Sequence, residues 1–233
     1  MCEITDYENI LQYNLFQYVF NNPINGYDDD GAFPKLKNWH KVAIGVSIVA
    51  GLTVATVLTG GAAAAIAGAA LQGTIIGGVS GAAVGAVGGA ITGGKQGAID
   101  GACSGFLSGT IIGGITGAAG AAINIRTGTT VVEGRAHGAK LHKVATNVEA
   151  GKMTFSGKYK KVFINKFLKT SGLSGNFRPD AIGIAKNGIH KIVEIVSPKQ
   201  SISYINNKVG KMVAKNPGSI GKVVTWVRKL FRK

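Results

Sequence analysis

Hydrophobic and polar positions divide the chain into two unlike halves. From Val42 to Gly94 no residue is charged, and after Lys95 and Asp100 the chain is uncharged again from Gly101 to Ile125. Inside this tract glycine recurs at every fourth position without a gap, from Gly73 to Gly117. A period of four places these glycines in one stripe of a helix, where the missing side chains let a neighbouring backbone approach closely. Each glycine costs about 0.8 to 1.0 kcal/mol against alanine in a helix interior, so close packing or a bilayer must compensate. Fully helical, the ladder would be about 65 Å long, twice the roughly 30 Å of a hydrocarbon core. It is therefore expected to fold as segments near 42–66, 68–94 and 101–124, bent at Lys95, Gln96 and Asp100. Three settings suit such helices: insertion into a membrane for translocation or a pore, a soluble glycine-packed bundle, or storage inside a cage.

The second half alternates short apolar runs with lysines. Gly128, Gly134 and Gly138 suggest a loose connection, followed by a helix over 139–152. The run over 159–168 is compatible with a strand running into a helix, and its period does not settle which. Residues 180–185 and 189–197 are rich in Ile and Val and flanked by Pro179 and Pro198, which predicts a β-hairpin. A helix over 203–214 should end at Asn216-Pro217-Gly218. The last stretch, 220–233, sets Val223, Val224, Trp226, Val227, Leu230 and Phe231 against Lys222, Arg228, Lys229, Arg232 and Lys233, the pattern of a basic amphipathic helix. The expected fold class is α+β, a helical glycine-zipper region at 42–125 followed by a small basic α/β domain at 126–233.

Charge sharpens this division. Residues 126–233 carry 22 Lys and Arg against Glu133, Glu149, Asp180 and Glu194, whereas residues 1–125 are net acidic, so the whole excess of +15 is C-terminal. Clustered cations gain from neutralising phosphates and releasing counterions, which points to nucleic acid or an acidic membrane or protein surface. Arg178, Lys191, Lys208, Lys211 and Arg228 are the candidate phosphate contacts. Cys2 and Cys103 fit neither a disulfide framework nor a metal spacing. The N-terminal stretch holds Glu3, Asp6 and Glu8 and no basic n-region, so no cleavable signal peptide is expected.

In so basic a region the acids are conspicuous, and the hairpin register decides whether two of them can act together. A two-residue Asn187-Gly188 loop would put Asp180 and Glu194 on opposite faces. A three-residue Lys186-Asn187-Gly188 loop, with Gly188 left-handed, pairs Ala185 with Ile189 and therefore Asp180 with Glu194, their Cβ atoms roughly 4.5 to 5.5 Å apart. Carboxylates that close repel unless a proton or cation lies between them. A divalent cation such as Mg²⁺ held by Asp180 and Glu194 would polarise a phosphodiester and activate water near neutral pH. The plainer alternative is that Asp180 caps a turn and Glu194 pairs with a lysine. His137, His142 and His190 offer a competing chemistry, metal-independent general acid and base catalysis of RNA cleavage. His190 shares the Glu194 face in the three-residue register.

Two stretches carry family resemblances. Asn14, Leu15, Phe16, Tyr18, Asn21, Asn22, Pro23, Ile24, Asn25, Asp28 and Gly31 match a pattern similar to the C-terminal end of the core of rearrangement-hotspot (Rhs, YD-repeat) proteins. In that family the motif closes a β-cage and a variable toxin follows, which implies that residues 1–41 are a core remnant and that the chain is the tail of such a protein or an orphan toxin. Pro179-Asp180, followed downstream by Glu194-Ile195-Val196, resembles the PD-(D/E)XK restriction-endonuclease-like nucleases. Thr170, Ser171, Gly172, Arg178, Ser197, Pro198 and Gln200 extend the likeness to toxin domains at Rhs C-termini. The resemblance implies a catalytic Asp180 and Glu194, with Glu149 as the family's helix-borne acid. Val196 stands where the family usually has lysine, and Lys199 or Gln200 would supply the missing group. It also implies delivery into a competing cell and a cognate immunity protein. The rival expectation is a membrane-permeabilising toxin whose basic end docks on anionic lipid.

Overall fold

The structure, a computed structural model, describes residues 26–27 and 35–226. The Rhs-like motif other than Gly26-Tyr27, and Arg228, lie outside the described residues. Gly26–Tyr27 (β1) pairs antiparallel with Lys35–Leu36 (β2). Two helices follow, α1 over Asn38–Leu58 and α2 over Gly61–Arg126. Both are long and apolar enough to cross a membrane.

The glycine ladder folds on itself. Backbone torsions leave the helical region at Gly93 and Gly94, where Gly94 takes φ +59°, and α2 turns back as two antiparallel arms. Gly73 faces Gly113, Gly77 faces Gly109, Gly81 faces Gly105, Gly85 faces Gly101 and Gly89 faces Gly97. A Cβ on any of these ten would run into the carbonyl oxygen of its partner, so each position requires glycine for close approach rather than for torsional freedom. The bend therefore falls at Gly93-Gly94, just before the predicted Lys95 to Asp100, because two glycines can reverse the chain while Gln96 and Asp100 remain helical. The break between α1 and α2 falls at Thr59-Gly60, not near residue 67. Helix α1 lies along the hairpin, with the Phe106 ring packed onto Gly45 and Lys41 donating to Ser104 Oγ at 2.9 Å.

The basic half is a five-stranded mixed sheet in the order β3-β4-β5-β6-β7: Val131–Gly134, Tyr159–Ile164, Ala181–Ala185, His190–Ile195 and Ile220–Val224. Helix α3 (Lys140–Phe155) carries the chain from β3 to a parallel β4, and α4 (Ile202–Ala214) carries it from β6 to a parallel β7, as a parallel crossover requires. Strands β4, β5 and β6 form an antiparallel meander, and the run over 159–168 resolves into β4 and a short 3₁₀ turn at Leu168–Ser171. Alternation sorts the side chains. Val162, Ile164, Ala181, Val193 and Ile195 pack under α3, while Phe163, Ile182, Ile184, Ile192 and Val196 pack under α4.

Two expectations need correction. The connection after Gly128 contains a strand, β3, and residues 220–224 are a strand rather than the start of an amphipathic helix. Spacing suggested a helix there, yet the crossover through α4 returns the chain beside β6. Gly221 lets the strand pass under Val209 and Val213, which a side chain would strike.

Helix α3 is buried on both sides. Ala145, Ala150 and Met153 join the sheet core, while Val144 and Val148 pack with Leu71, Val49, Leu52 and Val57. Gly68 and Gly151 bring α2 and α3 into backbone contact, and Asn147 donates to the Thr56 carbonyl. The hairpin base and the sheet domain thus share one helix.

Candidate functional site

The hairpin adopts the three-residue register. Ala181 pairs with Val193, Ile182 with Ile192, Gly183 with Lys191 and Ile184 with His190, and the Ala185 N–H donates to the Ile189 carbonyl at 2.8 Å. Gly188 is left-handed at φ +85° and donates back to the Ala185 carbonyl. Continuing this register sets Asp180, at the entrance to β5, opposite Glu194 near the end of β6.

Around this pair the structure gathers groups from four elements. Asp180 Oδ1 is 2.8 Å from His142 Nε2, on the first turn of α3, and Asp180 Oδ2 accepts from the Ile195 N–H at 2.8 Å. The other ring nitrogen, His142 Nδ1, is 3.0 Å from Ser197 Oγ. Gln200 Oε1 accepts from the Ser197 N–H at 3.0 Å, which holds the loop after β6 in place. Lys208, from α4, brings its ammonium to 2.6 Å from Glu194 Oε1.

Glu194 is only 3% exposed. Burial, and then the neighbouring Asp180 carboxylate, push its pKa up to about 7 despite the opposing pull of Lys208 and His142. Oε1 is fully buried, and the Lys208 ammonium at 2.6 Å is its partner. His142 and the Ile195 N–H already partner the two Asp180 oxygens and Lys208 partners Glu194 Oε1, so a cation at this pair would have to share or displace them. Among the described residues no group of three His, Cys, Asp or Glu could hold a metal, so any such ion would rest on Asp180 and Glu194.

Other predicted residues lie elsewhere. Glu149 is on the α3 side of the sheet, held by Lys152 at 2.9 Å and Lys222 at 2.6 Å. Burial alone would raise its pKa; hydrogen bonds from Lys222 and Lys152 outweigh that and hold it below the ordinary carboxylate value. His190 lies at the far end of β6 from Glu194, and its Nε2 is 3.0 Å from the Ser171 carbonyl. Lys199 is exposed on the loop beyond β6. Arg178 donates through Nε to the Asn165 carbonyl and lies 5.5 Å above the Phe167 ring. Lys211 is exposed on α4, and Lys191 is half-buried on the α3 side of β6.

The cation at Glu194 therefore comes from α4 and not from the loop after β6. Lys208 was legible as a phosphate-seeking lysine but not as the partner of Glu194, because that contact depends on how α4 crosses the sheet. His142 stood out only as one of several histidines, and its link to Asp180 joins α3 to a strand beyond β4 and the 3₁₀ turn. No protein-family model, curated protein or solved structure matches the chain.

Proposed function

We propose that residues 126–233 form a restriction-endonuclease-like domain that hydrolyses nucleic-acid phosphodiester bonds, and that the chain is a toxin delivered into a competing cell. The observation that carries this reading is the pairing of Asp180 with a buried Glu194 whose pKa lies at about 7, within a strongly basic domain. With no cation bound, a carboxylate that exchanges its proton near neutral pH is suited to taking one from an attacking water; once a cation is bound, it would serve as an ionised ligand instead. Lys208 supplies positive charge for the developing charge on phosphate oxygens, in the role that Val196 cannot fill. His142 and the Ile195 N–H fix the Asp180 carboxylate, and Ser197 fixes the imidazole in turn. A divalent cation held by Asp180 and Glu194 would act as a Lewis acid on the phosphodiester. Arg178, Lys211 and Lys199 extend the cationic surface along which a phosphate backbone would lie. Such a surface would also be the target of an acidic immunity protein.

A direct link between His142 and Asp180 also favours the metal-independent alternative, in which the imidazole moves the proton. One experiment separates the two. The full chain is assayed on DNA and on RNA with Mg²⁺ and with EDTA, beside Asp180→Ala, Glu194→Gln and His142→Gln. Cleavage lost with EDTA and in both carboxylate variants supports the metal-assisted reading. Cleavage that persists in EDTA but disappears in His142→Gln replaces it with the imidazole reading. Undiminished cleavage in Asp180→Ala and Glu194→Gln would sink both.

Exposed Ile and Val on the outside of the hairpin favour a membrane role for residues 42–125; Val84 is 74% and Ile91 81% exposed. From Gly73 to the turn each arm runs about 21 residues, or roughly 32 Å, close to the hydrocarbon thickness of a bilayer. We assign this hairpin to insertion during delivery. Release of a trapped dye from vesicles by Asp180→Ala protein, with toxicity equal to wild type, would instead make permeabilisation the toxic activity.

A further inference from the structure

The sheet has a concave surface at the end away from Asp180 and Glu194. A cleft of about 420 Å³ opens between the hairpin loop, the start of β4 and the start of β7. Its size lies within the roughly 300 to 1,000 Å³ usual for small-molecule sites. Lys158, Lys186 and Lys191 line it, over an apolar floor that includes Tyr159, Ile189 and Ile220. The length of a strand, about 17 Å, separates it from the carboxylate pair.

Among the described residues, no carboxylate lines this cleft. Residues 126–233 contain four side-chain carboxylates. Glu149 is held by Lys152 and Lys222, Asp180 by His142 and Glu194 by Lys208, and Glu133 does not line the cleft. Among the described residues, none of the three cleft lysines has a carboxylate within ion-pair distance. Lys191 is half-buried, and burial, followed by the nearby Lys222, depresses its pKa. Glu149 lies near enough to act on Lys191 but is itself held by Lys152 and Lys222, so the three lysines lining this concavity carry an excess of positive charge that an anion would offset. The floor adds a second requirement, because Tyr159, Ile189 and Ile220 offer apolar surface that a bare inorganic anion would leave uncovered.

We propose that this cleft binds a phosphate ester bearing a flat ring, the chemistry of a mononucleotide. The phosphate lies among the lysines and the base covers the apolar floor. This site is distinct from the hydrolytic one and does not depend on the nuclease reading.

The test is isothermal titration of the full chain with adenosine monophosphate and, separately, with inorganic phosphate. Expected is saturable binding of the nucleotide, tighter than that of inorganic phosphate. Loss of charge-assisted contacts should weaken it about tenfold in Lys191→Gln and in the double variant Lys158→Gln/Lys186→Gln. Lys158 and Lys186 are exposed, so the double variant keeps its fold, verified by its melting curve, and decides the matter if Lys191→Gln does not. Lys208→Gln should bind as wild type does. Absence of saturable nucleotide binding, or equal binding by the folded cleft variants, would overturn the proposal. Loss of binding in Lys208→Gln would move the nucleotide to the carboxylate site, and equal affinity for inorganic phosphate would remove the ring from the assignment. Absence of nuclease activity would not alter any of these results.

Discussion

The helical hairpin and the sheet domain bury opposite things. In the hairpin the seam is glycine backbone, and Ile and Val point outward; in the sheet domain Ile and Val are inside, and lysines cover the outside. The domain thus presents a cationic exterior and the hairpin an apolar one. Close contact also has a different origin in each. The hairpin gains dispersion energy because two backbones touch, which any side chain in the seam would forbid. The sheet gains from removing apolar side chains from water, which tolerates exchange of one hydrophobe for another.

The sharpest way to break this contrast is to fill the seam. Gly81→Leu places a side chain against the Gly105 carbonyl and should separate the arms, at a cost of about 3 kcal/mol or more. Faster proteolysis within residues 73–117 would report it. A Leu that left the hairpin intact would show that backbone contact does not hold the arms together.

The next effect concerns the sheet domain and depends on pH. Glu194 has a folded pKa of about 7, above its unfolded value, so the native state holds a proton that the unfolded state has lost between about pH 4.5 and 7. Stability from this group is fully present at low pH and falls as pH rises through that window. Glu194→Gln should therefore gain stability on the order of 3 kcal/mol relative to wild type at pH 8 and little at pH 4, measured by denaturant melts. Equal melts at both pH values would mean that Glu194 is an ordinary carboxylate.

Glu149 has the reverse sign. Its pKa is held below the ordinary value, so its contribution is present above pH 4.5 and lost as pH falls through the lowered folded value. Glu149→Gln should destabilise by about 1 to 3 kcal/mol at neutral pH while leaving nucleic-acid cleavage unchanged. A cleavage defect without a stability defect would return Glu149 to the active site. The smallest effect is on the hairpin's outer surface. No atom lies within 4 Å of a Cβ added at Gly88, so Gly88→Ala should stabilise its helix by up to about 1 kcal/mol. A loss there would reveal a contact on that face.

These regions also differed in what their sequences disclosed. A strict period names both partners of a contact, so the ladder foretold the close backbone approach and the need to fold into segments. Its turn was displaced by a short distance because polarity drew attention to Lys95 and Asp100 when the Gly93-Gly94 pair was the feature able to reverse the chain. The hairpin register in the sheet domain was equally legible, since Lys186-Asn187-Gly188 is a local signal. What surrounds Asp180 and Glu194 was not. His142 and Lys208 reach them from α3 and α4, and the direction in which a helix crosses a sheet leaves no local pattern. Strand β7 was missed for a related reason. A run as short as 220–224 carries too little periodicity to outweigh an apparently continuous amphipathic stretch, and the partner that makes it a strand, β6, lies on the other side of α4 in the chain.

Every rung of the glycine seam is alike, and that has a cost in registration. Sliding one arm past the other by one rung would again set glycine on glycine along most of its length, so the seam itself does not encode which tooth meets which. Alignment comes from beside the seam, where Thr110 packs on Gly78 and Thr74 on Gly114, and from the two ends. At one, Gly93-Gly94 closes the loop; at the other, the Asn124 side chain donates to the carbonyls of Thr154 and Phe155 and ties the returning arm to α3. The hairpin is a zipper with identical teeth, kept in step by its stop and its slider.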